Sequence, residues 1–305
     1  MQQYDLVIIG AGPAGLNAAL YASRANLKVA FVEKGAPGGK LSATSKIENW
    51  LGTPMVEGWE LAQQFFDHAQ KYGATYTFGE VVKIEKHAHQ DFSVILKDET
   101  TLKARSVLIA TGMQNRVPTF IENIDVYMNN GVSFCAICDG PIFGKNPTIV
   151  LGGGNSAVEE ATYLSKIASH VYVVVRDDAF IAEKKLVEEL LKQPNVTVFF
   201  NSQIQKLSGD KSLEKAHVFD SKTNTLHELE VASFFPYIGM EPKAEFVSHL
   251  NITNERGFIK TNEFMETEVE GLFAAGDIRA KDIRQIVTAA NDGAIAAKKI
   301  SDSLA

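Results

Sequence analysis

The sequence predicts an α/β protein with two Rossmann-like domains, each built in three layers (ββα), the second domain being inserted into the first. Two observations predict this fold. A strand, a glycine-rich turn and a helix follow one another near the N-terminus, and the same order returns in the middle of the chain. The duplication of a βαβ unit indicates two domains of related architecture. At 305 residues the chain is long enough for both to have a core.

The first copy of the unit opens the chain. The apolar run Leu6–Ile9 predicts a strand, Gly10–Gly15 a turn, and Leu16–Ala25 has the composition of a helix. A second strand is expected at Lys28–Val32, ending at Glu33. These elements in this order form one βαβ unit.

The second copy lies about 140 residues further along the chain, as the numbering of the two strands shows. A strand is expected at Pro147–Leu151, a turn at Gly152–Ala157, a helix at Val158–Ile167 and a strand at Val171–Val175. Further strands are predicted at Phe92–Leu96, Ser106–Thr111, Val196–Phe200, Lys215–Phe219 and Val231–Ile238.

The end of the chain completes the first domain. The first copy lacks closing segments until Gly271–Asp277 and an alanine-rich helix from about 282 to 304 supply them. We therefore expect a discontinuous domain at 1–115 plus 244–305, with the second domain at 116–243 inserted between its parts. The last helix has few bulky residues on one side, so it should pack closely on another element.

Composition excludes several classes of protein. Hydrophobic residues make up 45% of the chain and charged residues 22%, which is typical of a soluble globular protein. The net charge is −7, and no block of Lys and Arg indicates nucleic acid or a membrane surface as partner. Met1–Asp5 runs directly into the first strand without the pattern of a signal peptide, and no apolar run is long enough to span a bilayer. We expect a cytoplasmic protein.

The first glycine motif predicts a dinucleotide site. Gly10, Gly12 and Gly15 fit the pattern G-x-G-x-x-G between a strand and a helix. The first glycine allows the tight turn, the second lets backbone approach a pyrophosphate, and the third permits close packing of the helix. Glu33 ends the next strand, where its carboxylate can accept hydrogen bonds from ribose hydroxyls. An ordinary tight turn is the alternative, which the combination of strand, helix and acid makes a poor explanation.

The second glycine motif, Gly152–Ala157, predicts another dinucleotide site, since the pattern tolerates alanine at its last position. Twenty residues beyond Ala157 stands Asp177, flanked by Arg176 and Asp178. A 2′-phosphate requires cations, whereas a carboxylate repels it and suits a free ribose hydroxyl. The segment therefore favours NADH over NADPH. The alternative is that both aspartates point to solvent.

The two cysteines of the chain, Cys135 and Cys138, form a C-x-x-C pair followed by Asp139. At or near a helix N-terminus such a pair favours thiolate, and Asp139 could move a proton during thiol–disulfide exchange. Half of a zinc site is a weaker explanation, because there is no second pair and the histidines lack ligand spacing. A structural disulfide is also weaker, because it would close too short a loop. We expect a redox-active dithiol and no metal.

In their order and spacing these motifs resemble the low-molecular-weight thioredoxin reductases over the whole chain. The matching stretches are Gly10–Gly15, Gly38–Leu41, Ile47–Trp50, Ala110–Gly112, Cys135–Gly140, Gly152–Glu160, Ala275–Asp277 and Arg284–Ile286. The resemblance implies FAD, a reduced nicotinamide nucleotide as electron donor, thioredoxin or a thioredoxin-like protein as partner, and a homodimer. It also implies that Cys138 faces the flavin, that Cys135 attacks the disulfide of thioredoxin, and that Asp139 is the acid.

The resemblance carries over to binding residues position by position. FAD is expected at Gly10, Gly12, Pro13, Ala14, Gly15, Glu33, Lys34, Gly39, Lys40, Leu41, Asn49, Thr111, Gly112, Gly276, Asp277, Arg284, Gln285 and Ile286. The nicotinamide nucleotide is expected at Gly152, Gly154, Asn155, Ser156, Ala157, Arg176 and Asp177.

The chain departs from the family pattern where the nicotinamide donor should bind. The family has H-R-R-x-x-x-R, whereas Val175–Ile181 keeps only Arg176 of its four basic residues. Lys40 replaces a glutamine near the expected flavin. Two alternatives to a nicotinamide-dependent reductase remain open: an FAD dithiol reductase that takes electrons from ferredoxin or another donor, and a non-catalytic redox or nucleotide sensor.

Overall fold

The computed structural model describes residues 3–44, 46–128 and 130–305, and these form two compact units. The first comprises Met1–Gln114 and Glu241–Ala305, and the second Asn115–Met240. The expected domains were 1–115 with 244–305 and 116–243. The expected boundary differs from the observed one by one residue where the chain enters the second unit, and by three residues where it returns to the first. In the described part of the chain, no helix combines the length and apolar character that crossing a membrane requires.

The strands are β1 (Gln3–Ile9), β2 (Val29–Glu33), β3 (Lys46–Ile47), β4 (Val56–Glu57), β5 (Thr75–Phe78), β6 (Val81–Ala88), β7 (Asp91–Leu96), β8 (Thr101–Ile109), β9 (Met113–Asn115), β10 (Thr148–Leu151), β11 (Val171–Val174), β12 (Val196–Phe199), β13 (Ser202–Ser208), β14 (Lys215–Asp220), β15 (Thr225–Glu230), β16 (Ser233–Pro236), β17 (Met240–Pro242) and β18 (Leu272–Ala274). The α-helices are α1 (Pro13–Arg24), α2 (Gly58–Gln70), α3 (Ala136–Phe143), α4 (Asn155–Leu164), α5 (Lys184–Leu191) and α6 (Ile286–Leu304).

The first unit is organised around a parallel sheet in the order β5-β2-β1-β8-β18. Ile9 lies opposite both Val32 and Ile109, so β1, β2 and β8 end at the same level. Strands β6 and β7 add an antiparallel extension along the first half of β8. Ligands of such sheets bind beyond the carboxyl ends of the parallel strands, and the first glycine motif follows β1 at that edge.

The two faces of β1 separate the core of the first unit into two layers. Leu6 and Ile8 face α1 and α6, whereas Val7 and Ile9 face the antiparallel strands, as the two-residue period of a strand requires. All four side chains are buried. A parallel sheet between helices and an antiparallel sheet gives the predicted three layers and the α/β class.

Helix α6 packs against α1 at very short range, as its alanine-rich sequence predicts. A Cβ atom at Gly293 would lie 2.1 Å from the carbonyl oxygen of Ala14. The predicted start near 282 was wrong, because the helix begins at Ile286. A capping box fixes that start: Gln285 is the N-cap, and Thr288 accepts a hydrogen bond from its backbone N–H.

The second unit repeats the plan with a parallel sheet in the order β12-β11-β10-β16 and an antiparallel sheet β13-β14-β15. Val150 on β10 packs towards the helices, and Ile149 towards the antiparallel sheet. The predicted start of its first motif helix at Val158 was three residues late, since α4 begins at Asn155 after an extended Gly154. The motif residues Asn155–Ala157 therefore form the first turn of the helix.

Candidate dinucleotide and dithiol sites

The first glycine turn has the geometry that a bound pyrophosphate needs. Gly10 has φ +105°, and a Cβ atom there would lie 2.4 Å from the carbonyl oxygen of Ala110. A Cβ atom at Gly15 would lie 1.9 Å from the carbonyl oxygen of Gly10. Gly12, in contrast, faces open space and is the N-cap of α1 without a side-chain cap. The N-terminus of α1 therefore presents backbone N–H groups at a surface that lacks a side chain.

Glu33 is fixed at the end of β2 by two backbone groups. One carboxylate oxygen accepts a hydrogen bond from Ala11 N–H at 2.9 Å, and the other accepts one from Gly35 N–H at 2.9 Å. A carboxylate has further lone pairs, so Glu33 can also accept hydrogen bonds from ribose hydroxyls. The predicted carboxylate is thus aimed by the fold and retains acceptor capacity.

A cavity of about 590 Å³ lies beyond the ends of β1, β2 and β8. Gly10, Glu33, Lys34 and Thr111 are among its lining residues. The Thr111 hydroxyl is buried without a hydrogen-bond partner among the residues that the structure describes. Buried hydroxyls are normally paired, so this orphaned atom fits a cavity built for a polar ligand such as a dinucleotide.

Further residues expected at FAD are brought together from distant parts of the chain. Asn49 donates a hydrogen bond to the side-chain oxygen of Gln285 at 3.1 Å. The Lys40 ammonium lies 3.8 Å from the Asp277 carboxylate, and it is half exposed. The Arg284 guanidinium stacks 4.5 Å from the centre of the Phe258 ring. The structure thus pairs Asn49 with Gln285, and Lys40 with Asp277.

The other residues expected at FAD lie on the same unit. Pro13 is the first residue of α1 and Ala14 is buried in that helix, while Ile286 is the first residue of α6. Gly39 and Leu41 belong to a 3-10 turn at Gly39–Ala43, and Gly112 follows β8 with φ +65°. Leu41 is buried.

Asp292, the buried carboxylate of α6, was not predicted from the sequence. It accepts hydrogen bonds from Gly276 N–H at 3.0 Å and from Lys281 at 2.9 Å, and Arg279 lies 2.9 Å away. Asp292 thereby anchors the turn that carries Asp277. Its only signal in the sequence is an acidic residue on the apolar side of an alanine-rich helix.

The second glycine turn repeats the geometry of the first. Gly152 has φ +144°, and a Cβ atom there would lie 2.4 Å from the carbonyl oxygen of Tyr237. Gly154 faces open space and is the N-cap of α4 without a side-chain cap. Ala157 is buried, Ser156 is exposed, and Asn155 donates to Glu183 at 3.0 Å. An anion can therefore approach the backbone N–H groups at the N-terminus of α4, as it can at the N-terminus of α1.

The predicted donor segment lies against this turn and is largely exposed. Ile181 N–H donates to the carbonyl oxygen of Gly153 at 2.9 Å, which holds the segment beside the glycines. Arg176 donates to both carboxylate oxygens of Asp177, at 3.2 and 3.1 Å. Asp178 and Ile181 are exposed. The one arginine of the segment is thus engaged by its own neighbour.

Cys135 and Cys138 are joined in a disulfide at the N-terminus of α3. Cys135 is the N-cap, and its sulfur accepts a hydrogen bond from Cys138 N–H at 3.3 Å. Cys138 is exposed. The Ser133 hydroxyl donates to the Asp139 carboxylate at 2.6 Å and accepts from Cys135 N–H at 3.1 Å. A carboxyl group and two sulfurs therefore share one helical turn.

Two further titratable groups of the second unit were also missed. Tyr237 follows β16, and its hydroxyl oxygen accepts a hydrogen bond from Ala136 N–H at 3.2 Å. Burial, with the charge of Glu160 as the second cause, raises the pKa of Tyr237 well above its usual value. Burial, assisted by Glu159, raises the pKa of Glu160 to about 7. One carboxylate oxygen of Glu160 has no hydrogen-bond partner among the described residues.

Comparison with known proteins places this arrangement in a family. Residues 4–293 match the family described as pyridine nucleotide-disulphide oxidoreductase. The thioredoxin reductase of Mycoplasmopsis pulmonis is 52% identical over 301 residues, with 99% of this chain and 97% of that protein covered. The thioredoxin reductase of Bacillus subtilis is 40% identical, with 97% and 93% covered.

A solved structure agrees with these relatives. The crystal structure of Lactococcus lactis thioredoxin reductase (FR conformation) superposes with a TM-score of 0.91 at 37% identity, covering 98% of each chain. Both Rossmann-like domains are thus confirmed, and so are FAD and a nicotinamide nucleotide as the cofactors of the family. The chain therefore belongs to the pyridine nucleotide-disulphide oxidoreductase family, as an FAD-dependent oxidoreductase of the thioredoxin reductase type.

Proposed function

We propose that this chain passes electrons from a reduced nicotinamide nucleotide through FAD and the Cys135–Cys138 dithiol to the disulfide of thioredoxin. The observation that carries the proposal is the disulfide at the N-terminus of α3, with Asp139 in the same turn. It occurs in a chain with two glycine turns of dinucleotide-binding geometry. Such a disulfide has little structural value, because its loop is short, and a helix N-terminus favours the thiolate that exchange requires.

FAD is assigned to the first unit. Gly12 and the N-terminus of α1 would face its pyrophosphate, and Glu33 would accept hydrogen bonds from its adenosine ribose. Thr111, whose buried hydroxyl has no partner among the described residues, lines the adjoining cavity. The residues expected at FAD keep the roles that the family resemblance implies: Gly10, Pro13, Ala14, Gly15, Lys34, Gly39, Lys40, Leu41, Asn49, Gly112, Gly276, Asp277, Arg284, Gln285 and Ile286.

The nicotinamide nucleotide is assigned to the second unit, and NADH is the proposed donor. Gly154 leaves the first turn of α4 open to a pyrophosphate. At the expected position of the adenosine ribose, Asp177 holds Arg176 in a bidentate contact. A 2′-phosphate would meet the Asp177 carboxylate and compete with it for the one guanidinium, whereas a free ribose hydroxyl can donate to that carboxylate.

The dithiol performs the exit step of the proposed reaction. When bound, FAD supplies two electrons from the nicotinamide nucleotide, and with two protons these convert the disulfide into two thiols. The Cys135 thiol gives its proton to the Asp139 carboxylate and, as a thiolate, attacks one sulfur of the thioredoxin disulfide to form a mixed disulfide; the other thioredoxin sulfur leaves as a thiolate and takes that proton from Asp139. The Cys138 sulfur then attacks Cys135 Sγ, and its thiol proton passes to the leaving thioredoxin sulfur, which releases reduced thioredoxin and restores the Cys135–Cys138 disulfide.

The remaining assignments concern assembly and location. Family resemblance supports a homodimer, with thioredoxin or a thioredoxin-like protein as the substrate. We place the reaction in the cytoplasm, since reduced nicotinamide nucleotides and a reducing thiol pool are found there. No nucleic acid, membrane or metal is part of the proposal.

An anaerobic titration tests the entry of electrons. The purified protein should be yellow, and NADH should bleach the flavin absorbance more rapidly than NADPH. Bleaching by neither nucleotide, with turnover restored by reduced ferredoxin, would favour the second candidate function, a ferredoxin-dependent dithiol reductase. The loss of two of the family's three arginines motivates that candidate. A lack of thioredoxin reduction with every donor would reject both reductases and leave a redox sensor.

A further inference from the structure

The N-terminal turn of α3 carries the disulfide. Side-chain atoms accept hydrogen bonds from most of the free backbone N–H groups of this turn. A helix leaves its first four N–H groups without intrahelical acceptors. In α3 three of these four donate to side chains: Cys135 N–H to Ser133 Oγ at 3.1 Å, Ala136 N–H to Tyr237 Oη at 3.2 Å, and Cys138 N–H to Cys135 Sγ at 3.3 Å. Two hydroxyls and one redox sulfur together cap this helix.

The Tyr237 hydroxyl is an acceptor fixed from outside the helix. Its backbone N–H donates to the carbonyl oxygen of Leu151 at 2.7 Å, which ties the residue to the end of β10. Burial, followed by the charge of Glu160, raises the pKa of Tyr237, so the phenol stays neutral at physiological pH. A neutral phenol accepts from Ala136 N–H and keeps its own proton as a donor.

Ser133 connects the same turn to the proposed proton donor. Its backbone N–H donates to the carbonyl oxygen of Phe234 at 3.0 Å, and its side chain is buried. The single hydroxyl donates to Asp139 and accepts from Cys135 N–H. One buried oxygen atom therefore bridges the Asp139 carboxylate and the Cys135 backbone.

We propose that Ser133 and Tyr237 are positioning residues that keep the Cys135 sulfur within hydrogen-bonding distance of the Cys138 N–H group. They thereby set the fraction of Cys135 that is ionised to the thiolate in the reduced protein. Backbone N–H groups and the helix dipole stabilise a thiolate at an N-cap only while the first turn keeps its geometry. Without the Tyr237 hydroxyl, the N–H of the buried Ala136 loses its acceptor, and the first turn of α3 must shift to expose it to water, since an unsatisfied buried donor is costly. The inference rests on the proposed dithiol chemistry.

The test uses the holoenzyme with its disulfide reduced. The rate of alkylation of Cys135 by iodoacetamide is measured from pH 5 to about pH 9.5, a range that brackets thiol ionisation, with peptide mass spectrometry as the readout. In Tyr237→Phe and in Ser133→Ala the pH midpoint should rise, and the rate at pH 7 should fall about threefold or more. Ser133→Thr keeps a hydroxyl and should restore the wild-type midpoint.

Two matched variants control for the loss of a hydroxyl as such. Tyr127→Phe removes a phenol that donates to the carbonyl oxygen of Gly209 at 2.8 Å, and Ser165→Ala removes a hydroxyl that donates to that of Thr162 at 2.8 Å. Neither of these hydrogen bonds involves a residue of α3 or its caps Ser133 and Tyr237, so both variants should keep the wild-type midpoint.

Alkylation needs no turnover, so its outcome is separate from that of the proposed function. A protein that fails to reduce thioredoxin would reject the function without altering the alkylation comparison. Midpoints in Tyr237→Phe and Ser133→Ala that equal the wild-type value, or fall below it, would overturn the positioning role.

Discussion

The carboxylate of Asp292, in the middle of α6, accepts a hydrogen bond from the backbone N–H of Gly276 at 3.0 Å. Asp292 is buried and also contacts Arg279 and Lys281. A residue of the last helix thus fixes the turn that presents Asp277 to the proposed flavin site. Because two cations converge on one carboxylate, removal of its charge leaves both without compensation.

We predict that Asp292→Asn lowers both the thermal unfolding midpoint and the retention of FAD. Breaking a buried ion pair by removing one partner costs about 3–5 kcal/mol. Asp302→Asn is the matched control, since Asp302 lies on the same helix and pairs with Lys298 at the surface. Differential scanning fluorimetry and flavin release after dialysis measure the two effects. Equal behaviour of the two variants would contradict the anchoring role of Asp292.

The two open glycines provide reciprocal tests of the dinucleotide sites. Gly12→Ala and Gly154→Ala each add one methyl group where the structure leaves open space, so both proteins should fold. Gly12→Ala should be purified with less FAD, because the methyl group occupies the place of the pyrophosphate. Gly154→Ala should keep its FAD but raise KM for the nicotinamide nucleotide. Each variant is the control of the other, and an exchange of the two effects would refute the assignment of cofactors to units.

Donor preference should respond to charge at the end of β11. Replacing Asp177 and Ile181 together by arginine removes a carboxylate and adds two cations to an exposed segment. We expect the ratio of kcat/KM for NADH to that for NADPH to fall by about tenfold or more, since charged contacts are worth at least about 1.4 kcal/mol here. The control replaces both Asp177 and Ile181 by glutamine, which removes the original side chains without adding positive charge. A ratio unchanged by arginine would show that this segment does not face the adenosine ribose.

Glu160 should make the stability of the protein depend on pH. Burial raises its pKa from 4.5 to about 7, so the folded protein favours the neutral carboxyl. The stability that the neutral carboxyl contributes is fully present below the pKa of the unfolded chain. It is lost as the pH rises through the folded pKa of about 7, because the folded state then holds a desolvated charge. The free energy of unfolding of Glu160→Gln should therefore rise relative to that of the wild type by up to about 3 kcal/mol as the pH goes from 5 to 8.

Thermal unfolding of Glu160→Gln at these two pH values checks the prediction. Glu188→Gln is the control, since Glu188 is exposed on α5. A difference from wild type that stays constant between pH 5 and pH 8 would be incompatible with a carboxyl that titrates near neutrality.

The sequence was sufficient for features that depend on local pattern. The glycine turns at Gly10 and Gly152, and the position of Cys135 at a helix N-terminus, follow from residue types at fixed spacing. The start of α4 was misplaced because the glycine motif was read as a turn only, although its last residues already form helix.

Contacts between residues far apart in the sequence could not be predicted from local pattern. Asp292 with Gly276, and Tyr237 with Ala136, are separated by 16 and 101 residues. No spacing rule links a tyrosine after β16 to the dithiol turn, because the sheet order brings them together. The raised pKa of Glu160 likewise depends on burial, which a single glutamate in a helix does not reveal.

The most direct test of the central claim is the reduction of thioredoxin disulfide by wild-type protein and by Cys138→Ser under anaerobic conditions, with NADH in excess. In the variant, FAD binding and flavin bleaching by NADH should persist, because both assigned dinucleotide sites are intact. Thioredoxin reduction should fall to background, since no disulfide can accept the electrons. Thioredoxin reduction by Cys138→Ser at the wild-type rate would show that the electrons do not pass through the Cys135–Cys138 pair.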